Sequence, residues 1–191
     1  MVARAVFLDR DGTINEEVGY LRSPSQVRLL AGAGEAVRLL KEAGWRVIII
    51  TNQSGIARGF IDDHILESIH TRLAEQLQDC GAAVDDILFC PHHPDDQCGC
   101  RKPETGLLDL ARSRFDIDLT ASWVVGDKAI DVELGKKAGC RTALVLTGYG
   151  PDQLRIANSP DLVAQDLREA AERIVQDVQS DARSVGEPDP E

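Results

Sequence analysis

The chain has no long hydrophobic run. Its longest strongly apolar stretch, Val47 to Ile50, is far short of the ~20 residues a bilayer-spanning helix needs, so a transmembrane helix is excluded. Met1 leads into the first apolar segment without the order of a signal peptide, and a cytoplasmic protein is the expectation. Positive charge is scarce: 21 Lys and Arg stand against 32 Asp and Glu, a formal net charge of −11. Nucleic acids and anionic membranes select basic surfaces, so neither is an expected partner. A balanced disulfide set is also missing. There are five cysteines, three of them between Cys90 and Cys100, which fits metal binding in a reducing compartment better than a disulfide framework. No internal repeats occur. Between Asp11 and the second predicted strand there is room for a loop and a helix but no lid domain, so loops must roof any site there.

What is present is a regular alternation of strands and helices, the pattern of a parallel sheet covered on both faces. Strands are predicted at Ala5–Asp9, Arg46–Thr51, Asp86–Cys90, Ser122–Asp127 and Thr142–Thr147, with Leu162–Ala164 as a short edge strand. Helices are predicted at Gly34–Ala43, Asp62–Cys80, Glu104–Phe115, Ile130–Ala138 and from Asp166 to about Val178. Leu66, Ile69, Leu73, Leu77 and Cys80 recur at steps of three and four and form one inward stripe, which makes Cys80 a core thiol. Cys140, after the helix-ending Gly139, is expected to be buried as well. His64 and His70 fall at polar or boundary positions and read as surface residues; Trp45 and Trp123 flank strands and read as packing. Residues 1–178 form one predicted domain, and 179–191, polar and containing Gly and Pro, read as a disordered tail.

Four strand ends carry reactive residues. The run Val6-Phe7-Leu8-Asp9-Arg10-Asp11-Gly12-Thr13 closes a buried strand with two carboxylates. Ligands of open α/β sheets bind at the carboxyl ends of strands. With the chain turning at Gly12, Asp9 and Asp11 can face each other across a small cavity, one as nucleophile and the other handling a proton. Thr51-Asn52-Gln53-Ser54-Gly55 follows the second strand and offers a hydroxyl, amides and backbone N–H groups to phosphate oxygens. Arg101 and Lys102 bring two cations toward the same crevice, where a Lys can balance a transferring phosphoryl group. Trp123-Val124-Val125-Gly126-Asp127-Lys128 ends a further buried strand in an acid. Asp127 with Asp9 supplies hard oxygen ligands suited to Mg²⁺. Asp131 fits equally a helix-dipole partner and an outer member of a metal site.

This ordered set resembles the haloacid dehalogenase superfamily of phosphohydrolases. The resemblance implies a Rossmann-like, doubly wound, mainly parallel α/β fold without a cap domain. It makes Asp9 the nucleophile, forming an aspartyl-phosphate, and Asp11 the general acid and then base. It puts Mg²⁺ on Asp9, Asp127 and the Asp11 backbone carbonyl, and the phosphoryl group on Thr51, Asn52 and Lys102. Cys90-Pro91-His92 and Cys98-Gly99-Cys100 supply a Cys₃His set suited to tetrahedral Zn²⁺. With four ligands the site is closed, so the metal is structural and staples the loop that ends in Arg101-Lys102. The family pattern selects His92 over His93. Within the superfamily such a loop occurs in heptose bisphosphate phosphatases and in histidinol-phosphate phosphatases. The runs Thr51 to Gly59, Gly19-Tyr20, Cys90 to Pro94 and Val125 to Lys128 resemble the heptose group, which removes the 7-phosphate of heptose 1,7-bisphosphate on the way to lipopolysaccharide core precursors. The expected partner is thus a small phosphorylated sugar bound by a monomer, with Gln53, Ser54, Arg58, Arg101 and Lys128 as further substrate contacts. Two other readings remain at this point: a histidinol-phosphate phosphatase, with Glu16, Glu17 or Asp95-Asp96 facing a cationic substrate, and a non-enzymatic phospho-acceptor or zinc-stapled interaction module.

Overall fold

Short runs of Val, Ile, Leu and Ala that are apolar on both faces form strands only where both faces can be covered. In the computed structural model, which describes residues 2–184 and their side chains as far as Asp177, six such runs make one sheet. They are β1 (Ala5–Leu8), β2 (Arg46–Asn52), β3 (Asp86–Cys90), β4 (Trp123–Gly126), β5 (Arg141–Val145) and β6 (Leu162–Ala164). Their spatial order is β3-β2-β1-β4-β5-β6, and all five neighbouring pairs are parallel. The helices are α1 (Ala33–Glu42), α2 (Asp63–Asp79), α3 (Gly106–Phe115), α4 (Ala129–Ala138), the short α5 (Gly150–Gln153) and α6 (Leu167–Ser184).

Strand register sorts the core into two halves. Leu8 pairs with Ile49 and with Val125, and these side chains face the half packed by α1, α2 and α6. Phe7 pairs with Ile48 and Val124 and faces the half packed by α3 and α4. Because side chains alternate along a strand, a near-continuous apolar run fills both. Helix starts follow their capping residues: Asp62 accepts the Ile65 N–H at 2.8 Å and Asp166 accepts the Glu169 N–H at 2.9 Å, each satisfying a free donor of the first turn. Trp45 and Trp123 are both buried, under Arg4 and Arg141 respectively.

Three details depart from the sequence-based expectations, and one beside them holds. Cys80 is exposed, not core: α2 ends at Asp79 and Cys80 is its C-cap, one step beyond the inward stripe. Cys140 is buried, as its place after Gly139 predicts. Helix α3 starts at Gly106, two residues late, because the Glu104 and Gly106 N–H groups close turns onto Arg101 and Gly99 carbonyls at 2.8 and 3.0 Å. Helix α6 continues to Ser184, past the predicted end at Val178. The first helix breaker after it is Gly186, and the rest of the predicted tail, 185–191, lies outside the described residues. No helix among the described residues is long and apolar enough to cross a membrane.

The strand order places the site. The chain runs from β1 outward through β2 and β3, then crosses back so that β4 lies on the other side of β1. Crevices form at such reversals, outside the carboxyl ends of the strands. Asp9 follows β1 directly and Asp127 follows β4 directly. Gly12 lets the chain turn between them. Its φ is +86°, and a Cβ there would sit 2.2 Å from Asp127 Oδ2, so both backbone conformation and space require glycine.

Candidate active site

A cleft of about 150 Å³ at this crevice is lined by Asp9, Asp11, Thr51, Asn52, Ser54, Lys102 and Lys128, with Glu17, Gly19, Tyr20 and Ile130 completing the wall. Four strand ends and their following loops thus converge as the motif order predicts.

Lys102 is the electrostatic centre. Its buried ammonium donates to Asp9 Oδ1 at 2.6 Å, to Asp131 Oδ1 at 2.7 Å and to the Ile50 carbonyl at 3.1 Å. Burial alone disfavours its charge, but Asp131 and Asp9 outweigh that and hold it above the usual lysine range. Asp131 does two things at once: its other oxygen accepts the Lys128 N–H at 3.2 Å and caps α4. Asp127 is wholly buried, with Oδ2 accepting the Tyr149 N–H at 2.8 Å. Its Oδ1 has no hydrogen-bond partner, and the Lys128 ammonium stands 3.6 Å from it. Burial, and then the nearby charge of Asp9, push the Asp127 carboxyl up to about 7. Carboxylate oxygens of Asp9, Asp127 and Asp131 lie within 4.8 Å of one another. Crowded acids with a buried, unsatisfied oxygen match the donor set of a hard divalent cation.

Asp11 is held from several directions. Arg10 makes a bidentate pair with it, Nε to Oδ1 at 3.1 Å and Nη2 to Oδ2 at 2.8 Å. Asn15 donates at 2.9 Å and Gln53 at 3.1 Å. Burial opposes ionisation, yet Arg10, Asn15 and Gln53 together hold the carboxyl below its ordinary value. Gln53 also donates to the Thr51 hydroxyl at 2.8 Å, so its amide organises the cleft from within the wall. Asn52 lines the cleft, but its side chain is committed to the Lys102 main chain: Nδ2 donates to the carbonyl at 3.2 Å and Oδ1 accepts the N–H at 3.0 Å.

Three predicted substrate contacts fall differently. Lys128 lines the cleft, paired with Glu17 at 3.1 Å and stacked on Tyr149 at 4.8 Å. Arg101 and Arg58 do not line it: Arg101 turns back to donate to the His92 carbonyl at 3.5 Å, and Arg58 is exposed on the turn after Gly55. Sequence reasoning missed His70, which is half-buried, not at the surface, with Nε2 3.1 Å from Arg10 Nη1. The signal was available, since residue 70 lies four after Leu66 and three before Leu73, on the edge of the inward stripe.

The cysteine cluster forms beside this cleft. Cys90 Sγ lies 3.4 Å from His92 Nδ1 and 3.5 Å from Cys98 Sγ; Cys100 Sγ lies 3.2 Å from His92 Nδ1 and 3.7 Å from Cys98 Sγ. Sulfurs around a tetrahedral ion at ~2.3 Å stand ~3.8 Å apart, so the four atoms fit one metal. Burial pushes the Cys90 thiol up to about 12, a cost that a bound cation removes. His93 points elsewhere and accepts the Asp95 N–H at 3.3 Å.

Comparison with known proteins agrees with this geometry. A HAD-hydrolase-like family model matches residues 99–170. The chain is 40% identical over 178 residues to D-glycero-beta-D-manno-heptose-1,7-bisphosphate 7-phosphatase of Bordetella bronchiseptica, covering 91% of this chain and 99% of that protein. It is 41% identical over 185 residues to D-glycero-D-manno-heptose-1,7-bisphosphate 7-phosphatase of Thermosynechococcus vestitus, covering 89% and 94%. The crystal structure of the B. bronchiseptica D,D-heptose 1,7-bisphosphate phosphatase, complexed with magnesium and phosphate, superposes with a TM-score of 0.86 at 38% identity over 91% of this chain and 99% of that one. This chain therefore belongs to the D-glycero-D-manno-heptose-1,7-bisphosphate 7-phosphatase family of haloacid dehalogenase-like hydrolases.

Proposed function

We propose that this chain is a magnesium-dependent phosphatase that removes the 7-phosphate of D-glycero-D-manno-heptose 1,7-bisphosphate. The observation that carries the chemistry is Asp127 Oδ1, buried beside Asp9 with no hydrogen bond and only the Lys128 ammonium at 3.6 Å, where a cation between carboxylates and a phosphate oxygen would satisfy it. The substrate follows from the relatives' activity. Asp9, Asp127 and the Asp11 main-chain carbonyl hold the Mg²⁺, which screens the repulsion between an anionic nucleophile and an anionic phosphate.

Asp9 attacks phosphorus, the bond to the sugar oxygen breaks, and an aspartyl-phosphate forms. Asp11 delivers a proton to the departing alkoxide, then takes one from the water that hydrolyses the intermediate and frees phosphate. The depressed Asp11 carboxyl suits that second half. For the first half, the approaching phosphate adds a negative charge that raises a neighbouring carboxyl, so Asp11 acquires its proton as substrate binds. Thr51 takes a phosphoryl oxygen, Lys102 turns the donor it holds on Asp9 to the phosphoryl group as that group joins Asp9, Asn52 holds Lys102 in place, and Ser54 completes the wall with Gln53 behind it. Cys90, His92, Cys98 and Cys100 bind a structural Zn²⁺. The distal phosphate recruits Arg101, with Arg58 and Lys128 as further contacts. Arg101→Ala is expected to lower kcat/KM about tenfold for the bisphosphate and far less for a simple monophosphate; equal losses remove this role. The activity belongs to a cytoplasmic monomer, where a soluble sugar phosphate is found.

A cationic substrate such as histidinol phosphate needs an acid free to meet it, and Glu17, the acid lining the cleft beside Asp9 and Asp11, is already paired with Lys128. The test is phosphate release with Mg²⁺ from heptose 1,7-bisphosphate and histidinol phosphate side by side, with Asp9→Asn as control. Preference for the heptose, abolished in the variant, is the expected result. Preference for histidinol phosphate overturns the substrate, and release from neither overturns the substrate class.

A further inference from the structure

We infer that His70 is a positioning residue for this phosphatase: through the buried guanidinium of Arg10 it fixes the carboxylate of Asp11. This rests on the phosphatase reading above and deepens it. Arg10 is 1% exposed and lies in sequence between the two catalytic acids. Two edges of its fork grip Asp11, at 3.1 and 2.8 Å. The third edge, Nη1, meets His70 Nε2 at 3.1 Å. A guanidinium only donates, so Nε2 accepts and the ring carries its proton on Nδ1. A fork tethered at all three edges cannot swing, and the carboxylate it grips inherits that fixed orientation.

The ring is itself anchored. It projects from α2, whose Leu66, Ile69, Leu73 and Leu77 are buried, and it lies against Phe89 of β3 at 5.7 Å between ring centroids. The charged groups facing it are Arg10 and Asp11. Burial first, and then the Arg10 charge, push its pKa down to about 3. His70 is therefore an uncharged acceptor at any working pH and not a proton carrier. Removing it leaves one N–H of a buried cation unpaired and frees Arg10 to turn away from Asp11.

The test compares His70→Leu, which removes the acceptor, with His70→Gln, whose amide oxygen can replace it. Two substrates separate positioning from general damage. Heptose 1,7-bisphosphate has an alkyl leaving group that needs the Asp11 proton, whereas p-nitrophenyl phosphate has one that needs none. The value of kcat/KM covers the steps up to phosphoryl transfer to Asp9. His70→Leu is expected to lose about tenfold or more in kcat/KM on the heptose, mostly in kcat, and much less on p-nitrophenyl phosphate, with His70→Gln recovering most of the loss. Equal losses on both substrates, or a Gln variant no better than Leu at equal melting temperature, overturn the inference. A second measurement uses the unaltered chain, so it survives a variant that does not fold. Ring ¹⁵N shifts of His70 are expected to report the Nδ1–H tautomer, unchanged between about pH 5 and 8; a ring that titrates in that range overturns the Arg10–His70 bond. If the unaltered chain releases phosphate from neither substrate, the phosphatase reading fails and this catalytic role fails with it, while the ring shifts still decide the bond.

Discussion

Two polar clusters lie close together in this molecule and are built in opposite ways. The acid–lysine cluster draws Asp9, Lys102 and the Asp127–Asp131 pair from three separate segments, brought together by strand order. The cysteine cluster takes all its members from the span Cys90 to Cys100, so a local loop suffices. The first leaves Asp127 Oδ1 without a hydrogen bond and opens onto a cleft. The second presents three thiols and an imidazole to one another, their ligand atoms all within 4.8 Å. An open site leaves positions for substrate and water, whereas a closed one contributes to folding. They are coupled through the chain itself: Lys102 stands two residues after Cys100, and the Cys90 carbonyl accepts the Gln53 N–H at 2.7 Å. The lesson is that the local cluster supports the long-range one.

That contrast can be broken or sharpened by four experiments. The largest effect is expected from Asp9→Asn, which leaves the cysteine cluster untouched and lowers kcat by ~10⁴-fold or more, measured as phosphate release with zinc content unchanged. Cys98→Ser attacks the other cluster. It is expected to drop bound zinc well below one per chain, lower the melting temperature and reduce kcat by ~10²-fold through the displaced Lys102. Full activity in a zinc-free variant breaks the coupling, and a loss as complete as that of Asp9→Asn erases the distinction between the clusters. Asn52→Ala cuts a tie between them, the reciprocal bonds to the Lys102 main chain, and about a tenfold fall in kcat/KM is expected with zinc retained.

The smallest effect is a control at the opposite end of the sheet. Asp85 accepts from Lys41, Arg46 and the Val47 N–H at 2.6, 2.7 and 2.8 Å. Burial raises its carboxyl, but Lys41, Val47 and Arg46 outweigh this and hold it below the usual range. A depressed folded-state pKa means stability that is present above the unfolded value and lost as pH falls through the folded one. Asp85→Asn is expected to cost ~1–2 kcal/mol at pH 7, less where solvent screens the partners. The cost should shrink below about pH 4, with kcat unchanged. Thermal melts at both pH values check it, and a loss of activity at pH 7 contradicts the separation of this polar cluster from the two at the carboxyl ends.

Much of the fold was legible because local rules and global architecture agree. Val47 to Ile50 cannot be anything but buried, and the spacing of Leu66, Ile69, Leu73 and Leu77 makes one helix face. The order of the motifs located Asp9, Thr51 and Asp127 at strand ends, since a parallel sheet puts all such ends on one side; Lys102 reaches the same crevice from the loop between β3 and α3. Other residues were misjudged where a side chain's partner lies far away in sequence. Periodicity carried Cys80 into the core because it is blind to where a helix stops. His70 looked like a surface residue because its partner, Arg10, is sixty positions earlier. Asn52 does line the cleft, but that its amide is tied to the Lys102 backbone could not be read locally.

The sequence by itself determined the alternation of strands and helices, the acids and cations at the strand ends and the ligand types between Cys90 and Cys100, because these follow from periodicity, turn chemistry and donor softness, all short-range properties. Only the tertiary structure decided that Asp127 keeps an oxygen without a hydrogen bond beside Asp9, that Lys102 spends its donors on Asp9, Asp131 and Ile50, and that Arg101 turns away from the cleft. Burial, and the charge balance that burial enforces, belong to side chains brought together from distant segments, and no local pattern encodes which of them will meet.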